Sequence, residues 1–456
     1  MFNLKDYKNI YMIGIGGISM SGLAHILVSW NFCVSGSDQN TSKITDELIS
    51  NGIKVNIGQN YENINDTIDL VVYTAAIKED NPEMIHAREL NIKMLERGEF
   101  LGELTKLFKD TIGISGTHGK TTTTSMVSEV FLAANLDPTI QVGSILKSIN
   151  GNYRVGKSDY LIIEACEYCD SYLNFKQKSA IVLNIDNDHL DYFKTFDNIK
   201  KSFRTYVSHL PKDGLLVLNK DDNNTYDLKN YTDAKIVTYG IEEKADFNAK
   251  NITFNELGIP TYDLYKDNEF LSKIELGVIG KHNVLNSLAC IALCMNYNID
   301  IEFIKKGLIN YTGAARRFEY KGEFNGAKVY DDYGHHPTEV QAVAKSILNK
   351  KYNKSYVIFE PHTYSRVKNY YKEFAKSLIS FDNIIITDIF AARETNEFNV
   401  SPEDIINEIK KLGANAIHIS DFDDIKEYLK NNVKENDLIL TLGAGNVTKL
   451  SEILTK

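Results

Sequence analysis

The chain has 456 residues, 43% hydrophobic and 25% charged, which is room for about three globular domains of roughly 150 residues each. Its formal charge of −10 argues against nucleic acid as the main partner, because a phosphate-backbone binder carries a basic balance. No apolar run is long enough for a membrane span, the start MFNLKDYKNI lacks a signal-peptide core, and five cysteines do not build a disulfide framework in a chain this long, so the expected location is the cytoplasm.

Residues 9–38 read as strand, glycine turn, helix, strand, the opening of a doubly wound nucleotide-binding domain. Gly14, Gly16 and Gly17 resemble a dinucleotide fingerprint in which Ser19 replaces the third glycine, and Asp38 ends the second strand where a ribose-binding acid belongs. Three readings stay open for this turn: the diphosphate of a ligand other than a nicotinamide, a nicotinamide site, or a plain structural turn. Further on, DLVVYTAAI ends in Thr74 to Ile77 at the strand edge that ligands prefer, and Arg97 after IKMLE is either a phosphate contact or a solvated surface residue.

The stretch TIGISGTHGKTTTTS, Thr111 to Ser125, is a phosphate cradle. An apolar run breaks into Gly113, Gly116 and Gly119, then Lys120 and a row of threonines open a helix. Small residues let backbone N–H groups approach phosphate oxygens, Lys120 reaches the terminal phosphates, and the Thr121 hydroxyl suits a Mg²⁺ shell. Ile114 stands where the usual spacing needs glycine. Two buried-looking strands follow. DYLIIEA closes on Glu164 and Glu167, and SAIVLNI leads into Asp186, Asp188, His189 and Asp191, carboxylates placed for a hard cation beside the β and γ phosphates. His189 is an unusual partner for that work, and a lone histidine after a strand is more often an ordinary surface or core residue. The C-x-x-C of Cys166 and Cys169, with Cys290 and Cys294, is a weak zinc pattern; buried free cysteines are the simpler reading.

In GKHNVLNSLACIALC, Asn283 and Asn286 lie three apart on one helix face, where both amides suit a planar ligand such as a purine; helix capping by Asn283 is the alternative. Gly313 looks like a hinge, and the adjacent Arg316 and Arg317 point apart, so at most one faces a shared site. Four strand-then-loop units then place Asp331, Asp332, His335, His336, His362, Arg366, Arg393 and Gly443 to Asn446 at one edge of another open sheet, as a polar substrate wall or a transition-metal site.

In this order and over essentially the whole chain, GIGGISMSGLA, GTHGKTTTT, NIDNDHLDYF, GKHNVLNS, ARRFE, DDYGHHPTEV, PHTYSR and GAGN resemble the Mur ligases, ATP-dependent amide-forming enzymes of peptidoglycan synthesis. The resemblance implies an α/β fold of three domains: a UDP-sugar-binding Rossmann-like domain at 1–108, a central P-loop-type ATPase domain at 109–314, and a Rossmann-like C-terminal domain at 315–456. It implies ATP and two Mg²⁺ as cofactors and UDP-N-acetylmuramate and L-alanine as substrates. Gly116, Thr117, His118, Gly119, Lys120 and Thr122 would hold the ATP phosphates, Thr121 the first Mg²⁺, and Glu164 and His189 the second. Asn283 and Asn286 match the adenine side, Asp332 the ribose contact, and Arg317 the arginine that reaches the phosphates on closure. Gly14, Gly16, Gly17, Ser19, Asp38, Thr74 and Ala75 would bind the UDP part, and Tyr333, His335, His336, His362 and Arg366 would shape the alanine and intermediate site. This chain departs from the family pattern at Cys166 and Tyr168, beside the cation site, and at Thr363, where relatives commonly carry arginine. Tyr168 echoes a sister ligase that recycles murein tripeptide, so that activity and a non-catalytic nucleotide-binding regulator are the competing readings.

Overall fold

The computed structural model describes residues 3–256, 258–347, 351–392 and 394–456; Arg393 and the side chain of Asp191 lie outside the described residues. Three sheets organise the chain. The first is built from β1 (Asn9–Ile13), β2 (Cys33–Asp38), β3 (Lys54–Ile57), β4 (Leu70–Tyr73) and β5 (Lys93–Glu96), all parallel in the order β3-β2-β1-β4-β5. Chain direction across the sheet reverses between β1 and β4, so the loops after these two strands meet at the crevice where open α/β sheets bind ligands. The helix Ile18–Ser29 begins directly after Gly17, earlier than the polar segment ISMSG suggests. Those residues form its first turn because the glycines before them already reverse the chain.

The second sheet comprises β6 (Asp110–Ser115), β7 (Thr139–Leu146), β8 (Gly151–Arg154), β9 (Tyr160–Glu164), β10 (Ser179–Val182), β11 (Leu215–Asn219), β12 (Lys235–Gly240), β13 (Phe247–Phe254), β14 (Pro260–Lys266) and β15 (Glu269–Glu275). Its order is β15-β14-β13-β12-β11-β10-β6-β9-β7-β8. β6 is therefore central, with β10 and β9 parallel to it on either side. Its residues are buried from Thr111 to Ser115, as a strand covered on both faces requires.

The third sheet holds β16 (Glu319–Phe324), β17 (Ala327–Asp332), β18 (Ser355–Phe359), β19 (Asn383–Ile386), β20 (Ala416–His418) and β21 (Leu438–Leu442), in the order β16-β17-β21-β18-β19-β20. Only β16 runs antiparallel to its neighbour. Alternation along the strands feeds two cores. Val357, Phe359 and Leu440 pack with Phe374 and Leu378 on one face, and Ile358, Ile439 and Val329 pack with Ile425 and Leu450 on the other.

The chain divides into two compact units, one of Met1–Asn248, Tyr265–Phe270 and Asn286–Asn310, the other of Ala249–Leu264, Leu271–Leu285 and Tyr311–Lys456. In the first unit a single hydrophobic cluster runs from Met12, Leu23 and Phe100 to Leu161, Tyr172 and Phe203, which is why the first sheet and the strands around β6 share one body. No helix among the described residues is long and apolar enough to cross a membrane.

Candidate active site

The phosphate loop leaves the central strand β6 and enters the helix Lys120–Ala133. Gly116 and Gly119 hold φ of 131° and 88°, the left-handed region that glycine alone enters freely. A Cβ on Gly116 would lie 3.0 Å from Leu183, and one on Gly119 would lie 2.7 Å from Asn286 Oδ1, so a side chain at either position would be crowded as well as strained in its backbone. The loop is also latched from β10. His118 N donates to Asn184 Oδ1 at 2.8 Å while Asn184 Nδ2 donates back to His118 O at 2.9 Å. Asp186 N donates to Thr117 Oγ1 at 2.9 Å, and the His118 ring lies 3.1 Å from Asp186 Oδ2. Asn184 was not singled out from the sequence; its only signal was a polar residue directly after an apolar strand. Thr122 is buried in the first helical turn.

Two carboxylates from the end of β9 close the loop's other side. Thr121 Oγ1 donates to Glu164 Oε2 at 2.9 Å, and Gly143 N of β7 donates to the same oxygen at 3.0 Å. Lys120 Nζ lies 3.0 and 2.9 Å from the two oxygens of Glu167, and it donates to Gly116 O at 2.6 Å and Thr117 O at 3.0 Å. Burial alone would lower the Lys120 pKa, but the Glu167 charge and hydrogen bonds, with Cys166 and Glu164 nearby, outweigh it and hold the ammonium above its usual range. His189 takes a left-handed backbone, φ 54°, with Nε2 3.8 Å from Glu167 Oε1 and its ring 4.8 Å from that of Tyr168. Cys169 and Asp170 share that conformation, and such residues cluster where a fold over-determines a site. The Thr121 hydroxyl and the Glu164 carboxylate are hard oxygen donors that fit Mg²⁺, and the His189 imidazole and the Lys120-paired Glu167 stand beside them. Burial and the neighbouring Glu167 push the Cys166 thiol up to about 11, away from the thiolate that zinc ligation needs. Cys290 and Cys294 are buried on the helix Lys281–Asn296, sulfurs 3.9 Å apart.

At the β1/β4 crevice, Gly14 has φ 82° and a Cβ there would meet Thr74 Cγ2 at 2.6 Å. Gly14 N and Ile15 N donate to Ser37 O, and Gly16 N donates to Asp38 Oδ2 at 3.0 Å. Asp38 thus braces the glycine turn itself. Gly17 stands at the N-cap of the helix, Thr74 is half-buried and Ala75 exposed. Ser19 Oγ receives Arg97 at 3.3 Å and Gln141 Nε2 at 3.2 Å, which ties Arg97 to the helix after the glycine turn. Asn152 donates to Ile18 O, and the His25 ring stacks on Tyr153 at 4.5 Å. β7 therefore touches the glycine-turn helix through Gln141 and the phosphate-loop carboxylate through Gly143. Neither residue stands out in sequence, since each looks like ordinary strand.

In the second unit, the register of β17, β21, β18 and β19 brings their C-terminal ends level, with Asp332 opposite Leu442, Leu442 opposite Phe359, and Phe359 opposite Ile386. Asp332 accepts Phe318 N and Gly334 N, both at 2.7 Å. Burial pushes its carboxyl up to about 6, against the downward pull of Arg317 and these two N–H groups. His335 N and His336 N donate to Glu339 Oε2 at 3.0 and 3.3 Å. The His335 ring lies 5.3 Å from Tyr333 and 5.3 Å from His362, and Arg366 NH1 lies 3.2 Å from His362 Nδ1. Tyr333, His335, His362 and Arg366 thus form one run of contacts, while the buried His336 ring packs against Tyr370 at 5.1 Å. Arg316 reaches inward to Asp331 Oδ2 at 3.1 Å and to the Gly443 and Ala444 carbonyls, while Arg317 NH1 lies 3.9 Å from Glu339 Oε1. Both guanidinium groups nevertheless lie near the Tyr333 ring, at 4.9 and 5.6 Å, because the left-handed backbone of Arg316, φ 58°, breaks the alternation that would send neighbours apart. Asn283 donates to Ile279 O at 2.8 Å, a contact with the chain before the helix.

Three families match the sequence: Mur ligase family, catalytic domain, at residues 9–109; Mur ligase middle domain at 114–294; and Mur ligase, glutamate ligase domain, at 316–445. The chain is 49% identical over 455 residues to a UDP-N-acetylmuramate--L-alanine ligase of Lachnospira eligens and 47% identical over 454 residues to one of Clostridium acetobutylicum, covering 99% of both chains in each case. A crystal structure of the UDP-N-acetylmuramate-alanine ligase of Thermotoga maritima matches with TM-score 0.84 and 27% identity over 98% of each chain. A murein peptide ligase of Psychrobacter arcticus shares the fold at TM-score 0.74 and 22% identity, also over 98% of each chain. The chain belongs to the Mur ligase family.

Proposed function

We propose that the protein is an ATP-dependent ligase that joins L-alanine to the carboxylate of UDP-N-acetylmuramate through an acyl phosphate, releasing ADP and phosphate, in peptidoglycan precursor synthesis in the cytoplasm. The observation that carries this reading is the end-to-end 47–49% identity to ligases of that name. The Lys120, Thr121 and Glu164 cluster at the central strand supports it. Residues 1–108 are assigned to the UDP sugar, 109–314 to ATP, and 315–456 to the amino acid and to closure.

A carboxylate does not react with an amine at useful rate because oxide is a poor leaving group. Transfer of the γ-phosphoryl group to the muramyl carboxylate converts that oxygen into phosphate, which leaves easily. Lys120 and Arg317 neutralise charge on the transferring group, a role in which one well-placed cation contributes about 10³-fold or more. Thr121, Glu164 and His189 are the residues that would hold Mg²⁺, which when bound neutralises phosphate charge. Gly14, Gly16, Gly17, Ser19, Asp38, Thr74 and Ala75 seat the UDP part, and Asn283, Asn286 and Asp332 the nucleoside of ATP. L-alanine attacks as a free amine, so its ammonium loses a proton first, and His335, His336 and His362 supply candidate bases. Exclusion of water protects the acyl phosphate from hydrolysis.

The test is phosphate release from ATP with UDP-N-acetylmuramate and a panel of amino acids and murein tripeptide. Alanine should drive turnover, and Lys120→Ala should fold yet release no phosphate. Turnover with tripeptide alone would reassign the substrate, and an active Lys120→Ala would remove the phosphate-loop assignment.

A further inference from the structure

The ammonium of Lys120 has three N–H groups, and its neighbours already use them all: Gly116 O at 2.6 Å, Thr117 O at 3.0 Å and the Glu167 carboxylate at 2.9 and 3.0 Å. To engage a phosphate, Lys120 must give up at least one. The two carbonyls are neutral and belong to the loop that cradles the phosphate. Glu167 is different, because it carries a full charge of the same sign as the incoming ligand and its side chain is only 2% exposed. When the lysine turns to phosphate, two anions share one cation, and a buried carboxylate that loses its partner is strongly penalised. The His189 ring is close, its Nε2 3.8 Å from Glu167 Oε1, so a cation held by that imidazole would bring a second positive charge to Glu167.

We propose that Glu167 is a positioning residue that couples nucleotide binding to divalent-cation binding, an inference that rests on the nucleotide site assigned above. Without a cation, Glu167 retains Lys120 and opposes entry of the phosphates. With a cation beside Thr121, Glu164 and His189, the negative charge of Glu167 is offset by a second positive centre and the lysine is released to the ligand. Glu167 thereby favours the metal–nucleotide complex over the bare nucleotide, a selection that Lys120 alone, attracted to both, does not make.

Calorimetric titration of the full-length protein with ATP, in EDTA and in MgCl₂, tests this. In the wild type, metal-free ATP should bind at least about tenfold more weakly than ATP with Mg²⁺. Glu167→Gln, which keeps the shape and removes the charge, should close most of that gap by strengthening metal-free binding about tenfold, with Mg²⁺-dependent binding changed much less. Metal-free affinity that is unchanged or weaker in Glu167→Gln overturns the proposal. If that variant fails to fold, Glu167→Asp keeps the charge and shortens its reach to Lys120; a narrowed gap supports the coupling and an unchanged gap overturns it. Absence of ATP binding to the wild type even with Mg²⁺ would instead remove the nucleotide-site assignment itself.

Discussion

Thr121 and Glu164 are hydrogen-bonded at 2.9 Å, hydroxyl to Oε2, and the Gly143 N–H holds that oxygen from the other side at 3.0 Å. One carboxylate is thus fixed between the first turn of the phosphate-loop helix and the neighbouring strand β7. A Cβ on Gly143 would lie 2.7 Å from Glu164 Oε2 and 3.0 Å from Oε1, so Gly143→Ala must push the carboxylate off its position. Gly143 is exposed on its strand, and the fold tolerates the methyl group. The expected result is a loss of kcat/KM of about 10- to 100-fold with a melting temperature close to wild type, read by phosphate release and thermal denaturation.

The adjacent arginines separate stability from activity. Arg316 pairs with Asp331, which is fully buried and also receives Thr441 and Thr448 hydroxyls. Removing the guanidinium leaves that charge uncompensated, so Arg316→Ala should destabilise the second unit by about 3–5 kcal/mol. Arg317 is partly exposed and lies 3.9 Å from Glu339, so Arg317→Ala should cost less stability than Arg316→Ala while abolishing ligation. Denaturant melts and turnover on both variants measure the contrast; retained turnover in Arg317→Ala would remove the functional assignment of Arg317.

Much of this arrangement was legible in the sequence because strand-then-glycine patterns force both backbone geometry and location. Gly116, Gly119 and Gly14 announce tight turns, and apolar runs such as SAIVLNI announce buried parallel strands whose ends carry the polar residues. What was not legible depends on which strands become neighbours. Gly143 acquires its role because β7 lies beside β9, Gln141 because the helix after the glycine turn packs on β7, and Asn184 because β10 lies beside β6. Asp38 shows the same limit. Its position at a strand end suggests a ligand contact, and it also accepts the Gly16 N–H, a bond that spacing alone does not reveal.

Asp332 supplies a pH-dependent prediction. Burial raises its carboxyl to about 6 in the folded chain, against about 3.9 unfolded. Between these values the folded state holds a proton that the unfolded state has released, so stability from this group is greatest below about pH 4 and is lost as pH rises towards 6. Asp332→Asn cannot ionise. It also loses one of the two backbone N–H contacts, but that offset does not vary with pH. The stability of the variant relative to wild type should therefore rise by about 2–3 kcal/mol from pH 4 to 6 and then stay level. Denaturant melts across that range give the difference, and a flat one would contradict the assigned shift.

Thr363 combines a helix cap with an unfavourable backbone. It stands at φ 63°, ψ 142°, where a β-branched residue is a steric outlier, yet its N–H donates to Phe390 O at 2.9 Å and its hydroxyl caps the helix Tyr364–Leu378 through Arg366 N. Such a conformation costs about 1–3 kcal/mol in a residue with a Cβ, whereas glycine at an N-cap loses only a few tenths relative to threonine. Thr363→Gly should therefore stabilise the second unit by about 1 kcal/mol, and Thr363→Ala, which keeps a Cβ and loses the cap, should destabilise it by about 1 kcal/mol. The same geometry positions His362 and Arg366, whose side chains approach at 3.2 Å. A glycine that relaxes the turn should leave this pair less fixed and raise KM for the amino acid, while ATP affinity stays unchanged. Opposite signs for the two variants in thermal melts, with a KM effect confined to the amino acid, would establish that the strained backbone at Thr363 serves the site; a stabilised Thr363→Ala would sink the capping half of the argument.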